Sequence, residues 1–369
     1  MGHHAVVFEE KSRLGGMLRY GIPNYRFPRE RLQEDIDVIL STGVEVRLNT
    51  RIGNGEGEIP FERLREEFDA VHVAIGAHTD KKIGIEGEDS RGVMSAVEML
   101  RRIGDDDMPD FKDKTVVVVG GGNVAMDCTR SALRLGARKV GIAYRRRQDD
   151  MTALPEEVEG AIAEGAELYA LKAPNRIEAD ENGCVTALWV EPQIIGPIDA
   201  WGRARPIQAD VPLQRIPCDI VIVAIGQGIE TRHFEESGLS VKRGTIAAMS
   251  DSEVGTVRGV FAGGDCVTGP ATVIRAIASG KVAAANIDEF LGYHHVIPCD
   301  VEIPPVAYED KEPCGRVQLS EEEAGERKKG FDAFECGMTR QEACQEAGRC
   351  LRCDKYGYGS LKGGRAAIW

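Results

Sequence analysis

Short apolar runs that end at glycine alternate along the chain with segments of helical spacing, a rhythm that predicts an α/β protein with parallel strands. Residues 5–8 read as a strand ending at Glu9, and a helix over 28–40 starts on Pro28 and stops near Gly43. A strand over 44–48, a short helix over 60–67 and a buried strand over 70–75 ending at Gly76 follow. A helix over 95–103 stops at Gly104, and Asp105, Asp106, Asp107 and Pro109 make a linker.

Residues 115–119 are apolar enough to be buried on both faces of a sheet. They run into Gly120-Gly121-Gly122, a helix closing at Gly136 and a strand over 139–144, which together make one complete βαβ unit. The spacing predicts a helix over 155–164, antiparallel strands from about 168 to 215, a buried strand over 219–225, a strand over 260–262 and a long helix over 271–291. Ala74-Ile75-Gly76 and Ala224-Ile225-Gly226 repeat one strand-ending device. After Pro298 the chain is polar and charged, without strong periodicity until about Glu321.

Composition narrows the functional classes. The 369 residues suffice for two domains, and a net charge of −14 argues against nucleic acid or an anionic membrane surface as partner. No apolar run reaches the roughly 18 residues of a bilayer span. The first residues lack a cationic segment followed by an apolar one, so a cytoplasmic chain is expected, with its 10 cysteines reduced, metal-bound or redox-active.

The Gly120-x-Gly122-x-x-Ala125 turn follows a strand and opens a helix, the setting in which small residues admit a dinucleotide pyrophosphate to a helix N-terminus. The next strand ends in Tyr144-Arg145-Arg146-Arg147. An acid there would hold the ribose hydroxyls of NAD, whereas guanidinium groups suit the 2′-phosphate of NADPH; a solvated basic run is the plainer alternative. Glu9 would hold the adenosine ribose of FAD if residues 5–8 belong to a second such unit, although an acid at a strand end is often only a surface charge. Gly263-Gly264-Asp265 puts a carboxylate at another strand end, ahead of a helix N-terminus at Thr272-Val273-Ile274 suited to an anion or a flavin carbonyl. An ordinary polar cap would read the same way.

Cys336, Cys344, Cys350 and Cys353 close the chain in a C-x7-C-x5-C-x2-C pattern that matches neither common ferredoxin run. An iron–sulfur cluster, a zinc site and unligated or partner-shared thiols all remain open. A substrate-reducing disulfide is disfavoured, because Cys350 and Cys353 lie outside both nucleotide-binding units.

Four segments carry a family resemblance: Leu14-Gly15-Gly16-Met17-Leu18-Arg19-Tyr20-Gly21-Ile22-Pro23, residues 120–127, the Tyr-Arg-Arg step and residues 263–281. Together they resemble the small (β) subunit of NADPH-dependent glutamate synthase and related FAD/NAD(P)-binding oxidoreductases. The resemblance covers nearly the whole chain. It implies two Rossmann-like domains, with the NADPH domain (109–249) inserted into an FAD domain (1–108 and 250–295), and a C-terminal tail (296–369) holding the cysteine cluster. It implies FAD contacts from Glu9, Gly16, Met17, Gly264, Asp265, Thr272, Val273 and Ile274. NADPH contacts are implied from Gly120, Gly122, Asn123, Val124, Ala125, Arg145, Arg146 and Glu157. Met151-Thr152-Ala153 departs from the usual Met-Pro-Ala.

Family members carry a strand and a glycine-rich FAD loop ahead of the acid that Glu9 matches. The chain is therefore expected to be a fragment or to have a mis-set start, with the first FAD strand and its loop missing near the sheet's centre. The reaction implied is hydride transfer from NADPH to FAD, then single electrons through an iron–sulfur centre to a partner subunit or ferredoxin. No acid-base catalytic residue is nominated. The alternative is a flavin-free nucleotide-binding or docking subunit that lends its cysteines to a partner complex.

Overall fold

The computed structural model describes residues 1–198, 204–297 and 314–350. The first unit opens with β1 (Val6–Phe8), α1 (Gly16–Tyr20), α2 (Arg29–Leu40), β2 (Glu45–Arg47), α3 (Phe61–Glu67), β3 (Val71–Val73) and β4 (Thr79–Asp80). The second contains β5 (Val93–Ser95), α4 (Ala96–Gly104), β6 (Thr115–Val119), α5 (Asn123–Arg134), β7 (Lys139–Tyr144), α6 (Pro155–Ala163) and β8 (Glu167–Ala170). An antiparallel group follows: β9 (Lys172–Ala179), β10 (Val185–Ile198), β11 (Ala204–Gln208) and β12 (Gln214–Pro217). After β13 (Ile220–Val223) and β14 (Gln227–Gly228), the chain re-enters the first unit. There it forms α7 (Arg232–Glu236), β15 (Val241–Lys242), β16 (Thr245–Ile246), β17 (Val260–Ala262), α8 (Asp265–Thr268) and α9 (Val273–Phe290). The tail carries α10 (Ala324–Arg327) and α11 (Arg340–Arg349).

The second unit is one parallel sheet in the order β5-β13-β6-β7-β8. Alternation along β6 divides its valines between two cores. Val116 and Val118 pack with Met99, Met126, Ile142 and Val158 under α4, α5 and α6. Val117 and Val119 face Ile177, Leu188 and Val190 of the antiparallel group. This double cover is why the strand reads as an unbroken valine run.

The first unit is assembled differently. β1 pairs in parallel with β2, and β3 pairs in parallel with β17, as two separate two-stranded sheets. A shared side-chain core joins them: Phe8 of β1 meets Phe68, just ahead of β3, edge-on with ring centroids 5.8 Å apart, and α3 meets α7 through Phe61 and Phe234 at 5.3 Å. Val73, Val260, Ala262 and Cys266 lie in the same core.

Three differences from the expected boundaries have physical causes. β8, within the span expected to be antiparallel, extends the parallel sheet beside β7. Residues 93–104, expected in the first part, add β5 to the second sheet and Met99, Leu100 and Ile103 to its core. Phe234, Leu239 and Ile246, expected in the inserted domain, are buried in the first unit's core. Hydrophobic contact, not the linker signal at Pro109, sets these junctions. β4 and β14, one from each crossing between the units, pair antiparallel just after the two Ala-Ile-Gly repeats, so the repeats mark a two-stranded ribbon.

Candidate functional site

The glycine turn after β6 is built by three separate constraints. Gly120 sits at φ +151°, and a Cβ there would lie 2.3 Å from the Ala224 carbonyl oxygen. One on Gly121 would enter the Tyr144 ring at 2.5 Å. At Gly122 the nearest atom is Thr152 Oγ1 at 3.4 Å, so this position keeps its outer face open beside the start of α5. No side chain caps α5, whose N-terminus carries the positive end of the helix dipole. Ala125 is fully buried against the strand. These features fit a dinucleotide pyrophosphate.

The 151–154 loop, which carries Thr152 where the resemblance implies proline, is tied to this turn. Thr152 and Ala153 N–H both donate to the Gly121 carbonyl (3.0 and 3.1 Å), and Leu154 N–H donates to Asn123 Oδ1 at 2.9 Å. Proline at 152 would have no N–H to give. Val124, half-buried, is the next residue of the helix.

Arg145 is exposed just past β7, and Arg146 is half-buried with its carbonyl accepting from Leu171 N–H. Asp150 meets the charge of Arg147 through two contacts of 2.8 and 3.0 Å. The basic run thus stands at the carboxyl end of the strand next to the glycine turn, where a 2′-phosphate would lie.

Glu157 belongs to a buried ionic network. Its Oε1 accepts from Arg26 Nε at 3.0 Å and its Oε2 from Arg130 at 2.7 Å. Arg26 also grips Asp127 with contacts of 2.9 and 3.1 Å. Glu164, fully buried, takes Arg130, Arg134 and Arg327, the last from the tail. Arg134 lies 4.0 Å over the Tyr25 ring, and Arg130 and Arg327 lie 4.7 and 5.0 Å over Phe334. Burial pushes the Asp127 carboxyl up to about 7 despite Arg26, whereas the arginines outweigh burial at Glu164 and hold it below its ordinary range. Glu157 therefore fixes α6 and α5 behind the turn. Apart from Glu157, none of this network was anticipated; Asp127, Arg130 and Arg134 at helical spacing on an otherwise buried helix were the available signal.

In the first unit, Glu9, Asp265 and the start of α9 stand at the carboxyl ends of β1 and β17, where open α/β sheets bind ligands. Glu9 is half-buried; burial raises its carboxyl, while Oε1 accepts from Lys11 N–H at 2.8 Å. Asp265 Oδ1 accepts from Ala271 N–H at 3.1 Å, shaping the loop into Thr272. Gly264 sits at φ +73° and donates its N–H to Ser279 on α9. α9 starts without a side-chain cap, and Val273 and Ile274 are 42 % and 74 % exposed. Gly16, at φ +49°, has open space where a Cβ would project, and Met17 lies against Gly21. A carboxylate on each side, a free helix start and an apolar first turn suit a flavin dinucleotide.

The cysteine set is only partly described. Cys336, Cys344 and Cys350 are exposed, Cys344 within α11 and Cys350 at its end, and Cys353 lies outside the described residues. Among the described residues these thiols do not converge to metal-ligand spacing.

Residues 2–280 match the pyridine nucleotide-disulphide oxidoreductase family. The chain belongs to this family. It is 38% identical to the NADP(+)-dependent formate dehydrogenase subunit beta of Moorella thermoacetica over 98% of this chain and 53% of that protein. It is 36% identical to the NADPH-Fe(3+) oxidoreductase subunit beta of Geobacter sulfurreducens over 92% of this chain and 56% of that protein. With the glutamate synthase [NADPH] small chain of Escherichia coli it shares 33% identity over 79% and 64%. The chain thus spans about half the length of the first two. Among solved structures, Mycobacterium tuberculosis FprA in complex with NADPH matches at TM-score 0.63 and 18% identity, over 78% of this chain and 77% of that one. Thioredoxin reductase from T. acidophilum matches at 0.55 and 18%, over 78% and 90%. The two-unit fold of this oxidoreductase family is therefore the fold found here. Among the described residues no helix is long and apolar enough to cross a membrane.

Proposed function

We propose that this chain is the electron-input module of an NADPH-dependent oxidoreductase. When bound, NADPH supplies a hydride to FAD, which returns the two electrons singly to a one-electron acceptor. The observation that carries this reading is the uncapped Gly120–Ala125 turn beside Arg145 and Arg146 in an intact parallel sheet. Gly122, Asn123 and Val124 would receive the pyrophosphate, and the two arginines would hold the 2′-phosphate. Glu9, Met17, Asp265 and Thr272–Ile274 would hold the flavin nucleotide. The names of the relatives, β subunits and small chains among them, support a partner subunit as the electron acceptor, with ferredoxin a further candidate. Cys336, Cys344, Cys350 and Cys353 are proposed as the outlet, as iron–sulfur ligands.

One observation favours a second reading, a flavin-free nucleotide-binding subunit: β1–β2 and β3–β17 form separate sheets on the flavin side. A visible spectrum of anaerobically purified protein separates the two. Flavin bands that bleach on adding NADPH are expected; a colourless chain that still binds NADPH would replace the first reading with the second.

A further inference from the structure

Away from both nucleotide crevices, one side chain from ahead of β1 and two from the end of α9 bring their ligand atoms together. His3 precedes β1, Asp288 lies in the last turn of α9, and His295 follows that helix. His3 Nε2 and His295 Nδ1 each lie 2.7 Å from the same carboxylate oxygen, Asp288 Oδ1. The other oxygen, Oδ2, accepts from the His295 backbone N–H at 2.7 Å, so the carboxylate cannot rotate freely. The Tyr293 ring stacks on His295 and meets His3 edge-on, both at 5.4 Å, which sets the two imidazole planes.

The surroundings are those of a site open on one side. The Asp288 side chain is 2 % exposed, whereas His3 and His295 are 29 % and 47 % exposed, so solvent reaches the imidazoles but not the carboxylate behind them. α9 buries only Ala283 and Asp288, and a carboxylate so buried on an otherwise exposed helix needs a cationic or donor partner. Among the described residues, this is where three metal-ligating groups lie within 4.8 Å of one another. Two imidazole nitrogens and one carboxylate oxygen suit a borderline divalent transition ion, with water in the remaining position. Magnesium and calcium would want more oxygen donors.

We propose that His3, Asp288 and His295 bind one divalent transition-metal ion of the zinc class, fastening the residues before β1 to the carboxyl end of α9. A small outward turn of the imidazoles brings their nitrogens and Oδ1 onto a common ion. The ion replaces one hydrogen bond that spans 285 residues, and its local neighbour from His295, with coordination bonds, and it joins two elements that no shared strand pairing holds together.

The test uses the full chain freed of any affinity tag, titrated with Co2+ and then Zn2+. Because cysteines also bind these ions, the Co2+ spectrum serves as the discriminator. An imidazole and carboxylate site gives visible d–d bands without a thiolate-to-cobalt charge-transfer band. One equivalent of such Co2+, displaced by Zn2+, is expected. His3→Ala and His295→Ala change exposed side chains, so the fold can be checked by circular dichroism, and each should weaken binding at least about tenfold. His4→Ala should leave it unchanged. Spectra showing only thiolate-bound cobalt, or N/O-type bands that persist in the His3→Ala, His295→Ala double variant, would overturn the assignment.

Discussion

The two units start from similar strands and glycine turns, yet they are held together in different ways. In the second, five parallel strands share one sheet, helices cover one face and the β9–β12 group covers the other. Every central strand there has a partner on both sides. In the first, the parallel strands make two separate pairs, β1–β2 and β3–β17, held against one core that includes Phe8, Phe61 and Phe234. The second unit can therefore hold its glycine turn against the Ala224 carbonyl and the Tyr144 ring, so closely that Gly120 and Gly121 leave no room for a Cβ. The first presents Glu9 and Asp265 from separate sheets, so their spacing depends on side-chain packing. Backbone pairing, more than glycine content, distinguishes the two crevices.

The sharpest way to break this contrast is to remove Glu164, the carboxylate on which Arg130, Arg134 and Arg327 converge. Glu164→Ala leaves those guanidinium groups short of a buried partner and should cost about 3–5 kcal/mol, read from urea unfolding. A loss under about 1 kcal/mol would mean the network is solvated and the second unit is less rigid than described. A matched pair of truncations comes next. Ile142→Ala, at a fully buried position of β7, should cost about 2–5 kcal/mol. Val7→Ala, in the half-open β1 where Val7 is 42 % exposed, should cost less than about 0.5 kcal/mol. Equal losses would erase the distinction between the units.

Much of the second unit was legible from residues alone, because a strand buried on both faces writes itself as Thr115-Val-Val-Val-Val119 and the glycine turn follows it directly. β6, β7 and β17 fall where the apolar runs end. The ionic network was not legible, since Arg26 and Glu164 meet α5 only through tertiary packing. Nor were the junctions between units. Pro109 and the Asp105–Asp107 run signal a local break, but β5 joins the second sheet as its edge strand and α4 buries its apolar face under it before that break arrives. The β4–β14 ribbon pairs segments about 150 residues apart, which spacing cannot register; the repeated Ala-Ile-Gly endings were its trace. Thr152 shows the reverse case, where a residue departing from the pattern the resemblance implied gives its backbone N–H to the Gly121 carbonyl and ties the loop to the turn.

If Arg145 and Arg146 at the end of β7 hold the 2′-phosphate, calorimetric titration of the Arg145→Ala, Arg146→Ala double variant with NADPH and with NADH will separate the two nucleotides. Loss of charge-assisted hydrogen bonds to the 2′-phosphate should weaken NADPH by about 10- to 100-fold while leaving NADH within about twofold of the parent chain. Equal losses for both nucleotides, or no loss for NADPH, would contradict the account.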